Sequence, residues 1–138
     1  MAEGLLRQTL KQKGRNDVQV LSAGTNAFPG MGATLETIQV MSEHGVDVSS
    51  HFSQQLTPDL VRHADAIFCM EDFHRQQILS VDPEAESKVH LLKTFQNPVS
   101  LDDPNIPDPI GQPKEVYEVC RMAILDAVKR IAEWLEKP

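Results

Sequence analysis

The sequence lacks the features that several protein classes require. No apolar run is long enough to span a membrane, and the amino terminus shows no basic region followed by an apolar stretch and a small-residue cleavage site. We therefore expect a cytoplasmic protein with no membrane association. Lys and Arg number 13 against 20 Asp and Glu, which gives a net charge of −7. This shortage of positive charge disfavours nucleic-acid binding, because neutralising phosphates needs a basic surface.

Cysteine is also scarce. The two residues, Cys69 and Cys120, are too few for a disulfide framework and lack the spacing of a zinc site, so we expect reduced thiols. The five histidines are scattered, and none has a His or carboxylate partner at metal-ligand spacing. We expect neither a metal nor a cofactor.

What is present fits one folded domain over residues 1–138. Apolar residues make up 41% of the chain and charged residues 24%, which is typical of globular proteins. Apolar periodicity and capping residues predict an alternation of helices and strands. The predicted elements are a helix up to Lys13, a strand at 18–23, a helix at 33–44, a helix from about 58, a strand at 64–70, a helix at 72–79, a strand at 89–92 and a long C-terminal helix. This order indicates an α/β protein with a parallel sheet and helices on both faces.

One long irregular segment interrupts the pattern. Residues 93–113 contain five prolines, which forbid regular structure over much of the segment. Loops of this length in compact domains are usually functional.

Four fragments, in this order, resemble the low-molecular-weight protein tyrosine phosphatase family. They are Met-Ala-Glu at 1–3, Ser-Ala-Gly-Thr at 22–25, Ile-Phe-Cys-Met-Glu at 67–71, and Asp-Pro at 108–109 followed by Glu-Val-Tyr at 115–117. The resemblance covers essentially the whole chain. It implies a flavodoxin-like three-layer fold and a phosphatase that acts through a phosphocysteine intermediate on a phosphorylated protein or a small phosphate ester.

The resemblance also assigns roles to individual residues. Asp108 matches the general acid that protonates the leaving oxygen. Ile110 and Gly111 follow where phosphotyrosine-reading members carry aromatic residues, a pattern similar to the bacterial protein arginine phosphatase branch. We therefore expect Ile110 to contribute to substrate binding, with the choice between phosphotyrosine and phosphoarginine left open.

The family's phosphate-binding loop is absent from this sequence. In the family a strand and the loop C-x5-R-S-P immediately precede the Met-Ala-Glu helix, and this chain begins at Met1. The loop supplies the nucleophilic thiolate and the phosphate-binding Arg. We expect that a late start assignment or a truncation removed the central first strand and the loop, and that this chain alone is inactive.

Cys69 and Arg75 satisfy C-x5-R literally, yet the intervening residues do not suit a phosphate cradle. Glu71 and Asp72 would set carboxylates against a phosphate dianion, where small residues are needed. Cys69 also falls at the end of a buried strand, and Cys120 on the apolar face of the last helix. We expect both thiols to be structural.

Two alternatives remain open. The chain could be a catalytically dead phosphatase-like protein that binds or regulates a partner through residues 93–113. A thioredoxin-coupled arsenate reductase on the same scaffold would need further redox cysteines, and Gln76 stands seven residues after Cys69. Because a sheet without its central strand exposes apolar edges, we also expect the isolated chain to be poorly soluble or partly molten.

Overall fold

The computed structural model describes residues 1–99 and 102–137. Six elements are helical and two are strands. In chain order they are α1 (Ala2–Gln12), α2 (Leu35–Glu43), α3 (Pro58–His63), β1 (Ile67–Cys69), α4 (Asp72–Val81), a 3₁₀ helix (Pro83–Lys88), β2 (Val89–Leu91) and α5 (Lys114–Glu136). The predicted helices are confirmed to within a few residues, and the 3₁₀ helix is an element that periodicity did not predict.

Local capping explains where α3 begins. The Leu60 N–H donates to Thr57 Oγ1 at 3.2 Å, and Pro58 occupies the first turn, where its missing N–H costs nothing. After α2, Gly45 has a φ of +76°, so the left-handed termination predicted there is confirmed.

The two strands are parallel and short. Ile67 pairs with Val89 and Cys69 with Leu91. Since side chains alternate across a strand, Phe68 and Cys69 face opposite sides of this sheet. Cys69 joins the cluster under α3 and α4, whereas Phe68 packs against the larger core.

Helices thus cover both faces of the sheet. On one face, buried residues of α1, α2 and α5 form the main core with the segment after β2. These residues are Leu5, Met41, Val46, Val48, Leu92, Phe95, Ile106, Cys120, Ile124, Ala127, Val128 and Ile131. On the other face a smaller cluster contains Val61, Cys69, Ile78, Ala85 and Val89. The α/β class and the layered arrangement predicted from the sequence are confirmed.

The predicted strand at 18–23 is wrong as a regular strand. Only Gly24, just beyond it, forms an isolated parallel bridge, to Gln55. Side chains bind two carbonyls of the segment instead: Arg7 donates to the Val20 oxygen at 2.6 Å and Gln54 to the Ser22 oxygen at 2.9 Å. A strand exists only where a neighbouring backbone completes its hydrogen bonds, and along 18–23 the described part of the chain supplies no continuous partner.

The other two strands are shorter than predicted. The predicted strand at 64–70 is regular only over Ile67–Cys69, and that at 89–92 over Val89–Leu91. Residues 93–113 contain no regular helix or strand within the part that the structure describes, as predicted. No described helix is long and apolar enough to cross a membrane.

Candidate active site

Asp108 lies on a tight turn immediately before α5. Its Oδ1 accepts a hydrogen bond from the Ile110 N–H at 3.0 Å, and the Gln112 N–H donates to the Pro109 oxygen at 2.9 Å. Gly111 completes the turn with a φ of +79°, a conformation that favours glycine. Pro109 is buried while Asp108 is exposed, so the turn is anchored and its carboxylate faces solvent.

The segment before Asp108 is tied to the carboxyl end of β1. The Ile106 N–H donates to the Met70 oxygen at 2.8 Å, and Ile106 itself is buried in the main core. Asn105 Oδ1 accepts from the Asp72 N–H at 2.8 Å, which links the segment to the start of α4. Backbone and side chain together fix the path of the chain into the Asp108 turn.

Asp108 lies within electrostatic range of Cys120 on α5. Burial raises the pKa of the Cys120 thiol, and the Asp108 carboxylate adds to that shift. The amino-terminal end of α1 is a separate feature: the first N–H groups of a helix are unpaired and its dipole is positive there, so this end favours anions.

A carboxylate and an imidazole stand beside the same helix end. Glu3 Oε2 lies 3.0 Å from His51 Nδ1, and Glu3 Oε1 lies 3.5 Å from an Arg7 nitrogen. Only 15% of the Glu3 side chain is exposed, so this cluster fixes the 51–53 segment against α1. The sequence analysis did not identify Glu3 or His51, because 48 positions separate them and no local pattern joins them.

Ile110 projects into solvent from the Asp108 turn. Its side chain is 65% exposed, which leaves an apolar surface two residues after the Asp108 carboxylate. The structure thus brings the two sequence-predicted site residues together.

Cys69 cannot serve as the nucleophile of a phosphate cradle. The thiol is buried, and burial raises its pKa to about 11, so it is neutral near pH 7. The N–H groups that would hold a phosphate are already engaged, since Glu71 N–H donates to His74 Nδ1 and Asp72 N–H to Asn105 Oδ1. Cys69 is buried, as the prediction of a structural thiol requires.

No group of three or more His, Cys, Asp or Glu side chains within 1–99 and 102–137 is placed to hold a metal ion. The arrangement at Asp108 combines an exposed carboxylate with an exposed apolar neighbour on an anchored turn. Such a site can pass a proton to a bound substrate.

Comparison with known proteins decides the family. The model of the low molecular weight phosphotyrosine protein phosphatase family matches residues 1–138. The chain belongs to this family. The resemblance inferred from the sequence is thereby confirmed.

Curated relatives include both tyrosine and arginine phosphatases. A probable low molecular weight protein-tyrosine-phosphatase EpsP of Ralstonia nicotianae is 41% identical over 92 residues, which are 67% of this chain and 60% of that protein. A protein-arginine-phosphatase of Geobacillus stearothermophilus is 35% identical over 127 residues, covering 92% of this chain and 83% of the relative. The match to EpsP thus spans about three fifths of that protein's length.

A solved structure extends the comparison. It is a mutant of the arginine phosphatase YwlE with a phosphorylated active-site serine, and it matches with a TM-score of 0.89 at 28% identity. The match covers 99% of this chain and 86% of that one. In that YwlE mutant, therefore, an active-site serine carries a phosphoryl group.

Proposed function

We propose that these residues form the body of a protein phosphatase in which Asp108 is the general acid. The observation that carries the proposal is the position of Asp108 in a family member: an exposed carboxylate on a turn that the Ile106–Met70 and Asp72–Asn105 hydrogen bonds anchor to the core. In the reaction a nucleophile displaces the leaving group from phosphorus, and the Asp108 carboxyl donates its proton to the departing atom. General acids of this kind typically contribute about 10²–10⁴-fold to the rate.

We further propose that the nucleophile comes from residues outside this sequence, so that the 138 residues alone do not turn over substrate. Both cysteines are buried, and burial raises the pKa of each thiol. Neither thiol has the thiolate character of a nucleophile at neutral pH. The unpaired thiols also favour a reducing compartment, and we place the protein in the cytoplasm.

We also propose that the complete protein has a further strand in the centre of the sheet. The Cys69 carbonyl accepts from Leu92 N–H on the β2 side. Because alternate residues of a strand bond to opposite edges, Phe68 directs its N–H and C=O away from β2. Neither group has a backbone partner among the described residues. We propose that a further strand pairs with this edge in the complete, flavodoxin-like sheet.

For the substrate we propose a phosphorylated protein side chain, either phosphotyrosine or phosphoarginine. The named relatives include enzymes of both kinds. Exposed Ile110 would contact the group that carries the phosphate, and its small, non-aromatic surface favours the flexible side chain of phosphoarginine over stacking on a phenol ring.

A binding protein without catalytic activity is the second candidate. The absence of an ionisable thiol favours it, as does the exposed loop that carries Asp108 and Ile110. In that case the chain would bind a phosphorylated partner and release it unchanged.

The deciding experiment starts with the intact mass of the protein from its native source, compared with 15.4 kDa. We expect a larger mass and hydrolysis of phosphoarginine or phosphotyrosine peptides. Asp108→Asn in that protein should lower kcat by about 10²–10⁴-fold. Asp103→Asn is the matched control, because the Asp103 carboxylate accepts the Asn105 N–H in an equivalent turn at 3.0 Å.

The alternatives give different results. A native mass of 15.4 kDa together with partner binding and no turnover would establish the binding protein instead. Equal losses from Asp103→Asn and Asp108→Asn would contradict the role of Asp108 as the acid.

A further inference from the structure

A cleft lies beside β2 and α4. It has a volume of about 430 Å³. The residues that line it are Arg75, Val89, His90, Leu91, Thr94, Phe95 and Gln96. None of these residues is acidic, although the chain carries a net charge of −7, and none belongs to the Asp108 site.

Arg75 is the first reason to assign a ligand to this cleft. The side chain is half-buried on α4, and within the described residues its guanidinium forms neither an ion pair nor a side-chain hydrogen bond. Partly buried arginines usually satisfy their five donors with carboxylates or carbonyls. An unpaired guanidinium in a cleft is therefore suited to hold an oxyanion through paired, charge-assisted hydrogen bonds.

The imidazole of His90 also lines the cleft and packs against two aromatic rings. The His90 ring lies 5.6 Å from the Phe68 ring and 4.8 Å from the Phe95 ring, measured between centroids. Burial lowers the pKa of His90, and the Arg75 cation lowers it further. Arg75 and His90 therefore line the same cleft within electrostatic range of each other, so that one bound anion could contact both.

The backbone conformation of Gln96, which also lines the cleft, is an independent observation. Gln96 has a φ of +52° and is the sole non-glycine residue with positive φ in the part of the chain that the structure describes. Non-glycine residues held in this region cost on the order of 1 kcal/mol and cluster at ligand sites. The turn that imposes this conformation is held by α5, where Arg130 donates to the Phe95 and Lys93 oxygens at 2.9 Å each.

We propose that this cleft binds a phosphate group through the Arg75 guanidinium and the His90 imidazole. Of Arg75, Lys93 and Arg130, cations on the elements around His90, Lys93 donates to the Asn105 oxygen and Arg130 is paired with Asp126, so Arg75 is the one left for an anion within the described residues. Carboxylates stand on the same elements, namely Glu71 and Asp72 at the start of α4 and Glu133 on α5. The phosphate could be free or carried by a phosphorylated side chain.

An NMR titration of the histidine rings in the full chain tests the proposal, with inorganic phosphate as the probe. A bound anion stabilises the imidazolium, so phosphate should raise the pKa of His90 towards its ordinary value. The exposed His63 ring should shift much less, which separates binding from a general salt effect.

Substitutions identify the group that holds the phosphate. Arg75→Gln should weaken phosphate binding about tenfold or more, because the charge-assisted hydrogen bonds are lost. Arg75→Lys keeps the charge without the planar fork and should give an intermediate affinity. Arg62→Gln is the control, since Arg62 is exposed on α3 and paired with Asp59.

The outcomes are separable. Equal binding of phosphate by Arg75→Gln and the unchanged chain would overturn the proposal, and so would equal shifts of His90 and His63. A spectrum without a resolved His90 signal would show that the cleft does not form and would also overturn it. Tighter binding of a short phosphopeptide than of inorganic phosphate would identify a phosphorylated side chain as the source, and equal affinities would identify the free anion.

Discussion

Cys69 should react with iodoacetamide about 100-fold more slowly in the folded chain than in the denatured chain. Burial raises the pKa of its thiol from 9.0 to about 11. At pH 8 the reactive thiolate therefore falls from about 9% to about 0.1% of the molecules. The side chain is also only 4% exposed, so restricted access slows the reaction further.

The assay compares alkylation at pH 8 in buffer and in guanidinium chloride, with each cysteine quantified by peptide mass spectrometry. Cys120 is the internal control, because its thiol is also buried and its pKa is also raised. If Cys69 alone reacted within tenfold of its denatured rate, its thiolate would be accessible and the rejection of a Cys69–Arg75 cradle would be refuted. Fast reaction of both cysteines would indicate a loosely packed chain instead.

Two further predictions concern stability. Thr57→Ala should lower the free energy of unfolding by about 1 kcal/mol, because the Leu60 N–H loses its cap, whereas Thr9→Ala inside α1 should change it by less than about 0.5 kcal/mol. Urea unfolding measures both, and equal effects would contradict the capping argument. Because burial and Arg75 lower the pKa of His90, the unfolded chain binds more protons, so stability should fall as the pH drops below about 6.5. His90→Gln should reduce this loss in urea midpoints measured from pH 7 to 5, and an unchanged pH dependence would contradict the assignment to His90.

The helices could be predicted from the sequence because their signals are local. Thr57, Pro58 and Asp59 stand next to one another, and a cap needs only the following turn to act. The glycine that ends α2 is equally local. Helix boundaries were therefore accurate to within a few residues.

The segment 18–23 shows why strands were harder to predict. Its apolar residues have the pattern of a strand, but a strand also needs a partner backbone, which no local pattern reveals. In the structure, the side chain of Arg7 donates a hydrogen bond to the Val20 oxygen instead, and the side chain of Gln54 donates one to the Ser22 oxygen.

The candidate site likewise has one part that the sequence predicts and another that it does not. Asp108 was predicted because Asp-Pro followed by Glu-Val-Tyr at 115–117 resembles the general-acid loop of the family. The contacts around it could not be predicted, since Asn105 and Asp72 are 33 positions apart and meet only after folding. In the sequence, Arg75 stands out only as the last residue of a literal C-x5-R match. The structure shows that it lines a cleft, which no local pattern predicts.

The hydrogen bond from Ile106 to Met70 and the one from Asp72 to the Asn105 side chain have a kinetic consequence. They attach the approach to Asp108 to two elements of the folded core, so the Asp108 turn is already ordered in the folded chain. The entropy of ordering the turn is lost during folding rather than at each encounter. For the proposed phosphatase, this predicts that a substrate docks at the Asp108 turn in a single step without a slow closing phase, and that the orientation of the Asp108 carboxylate is as persistent as the fold itself.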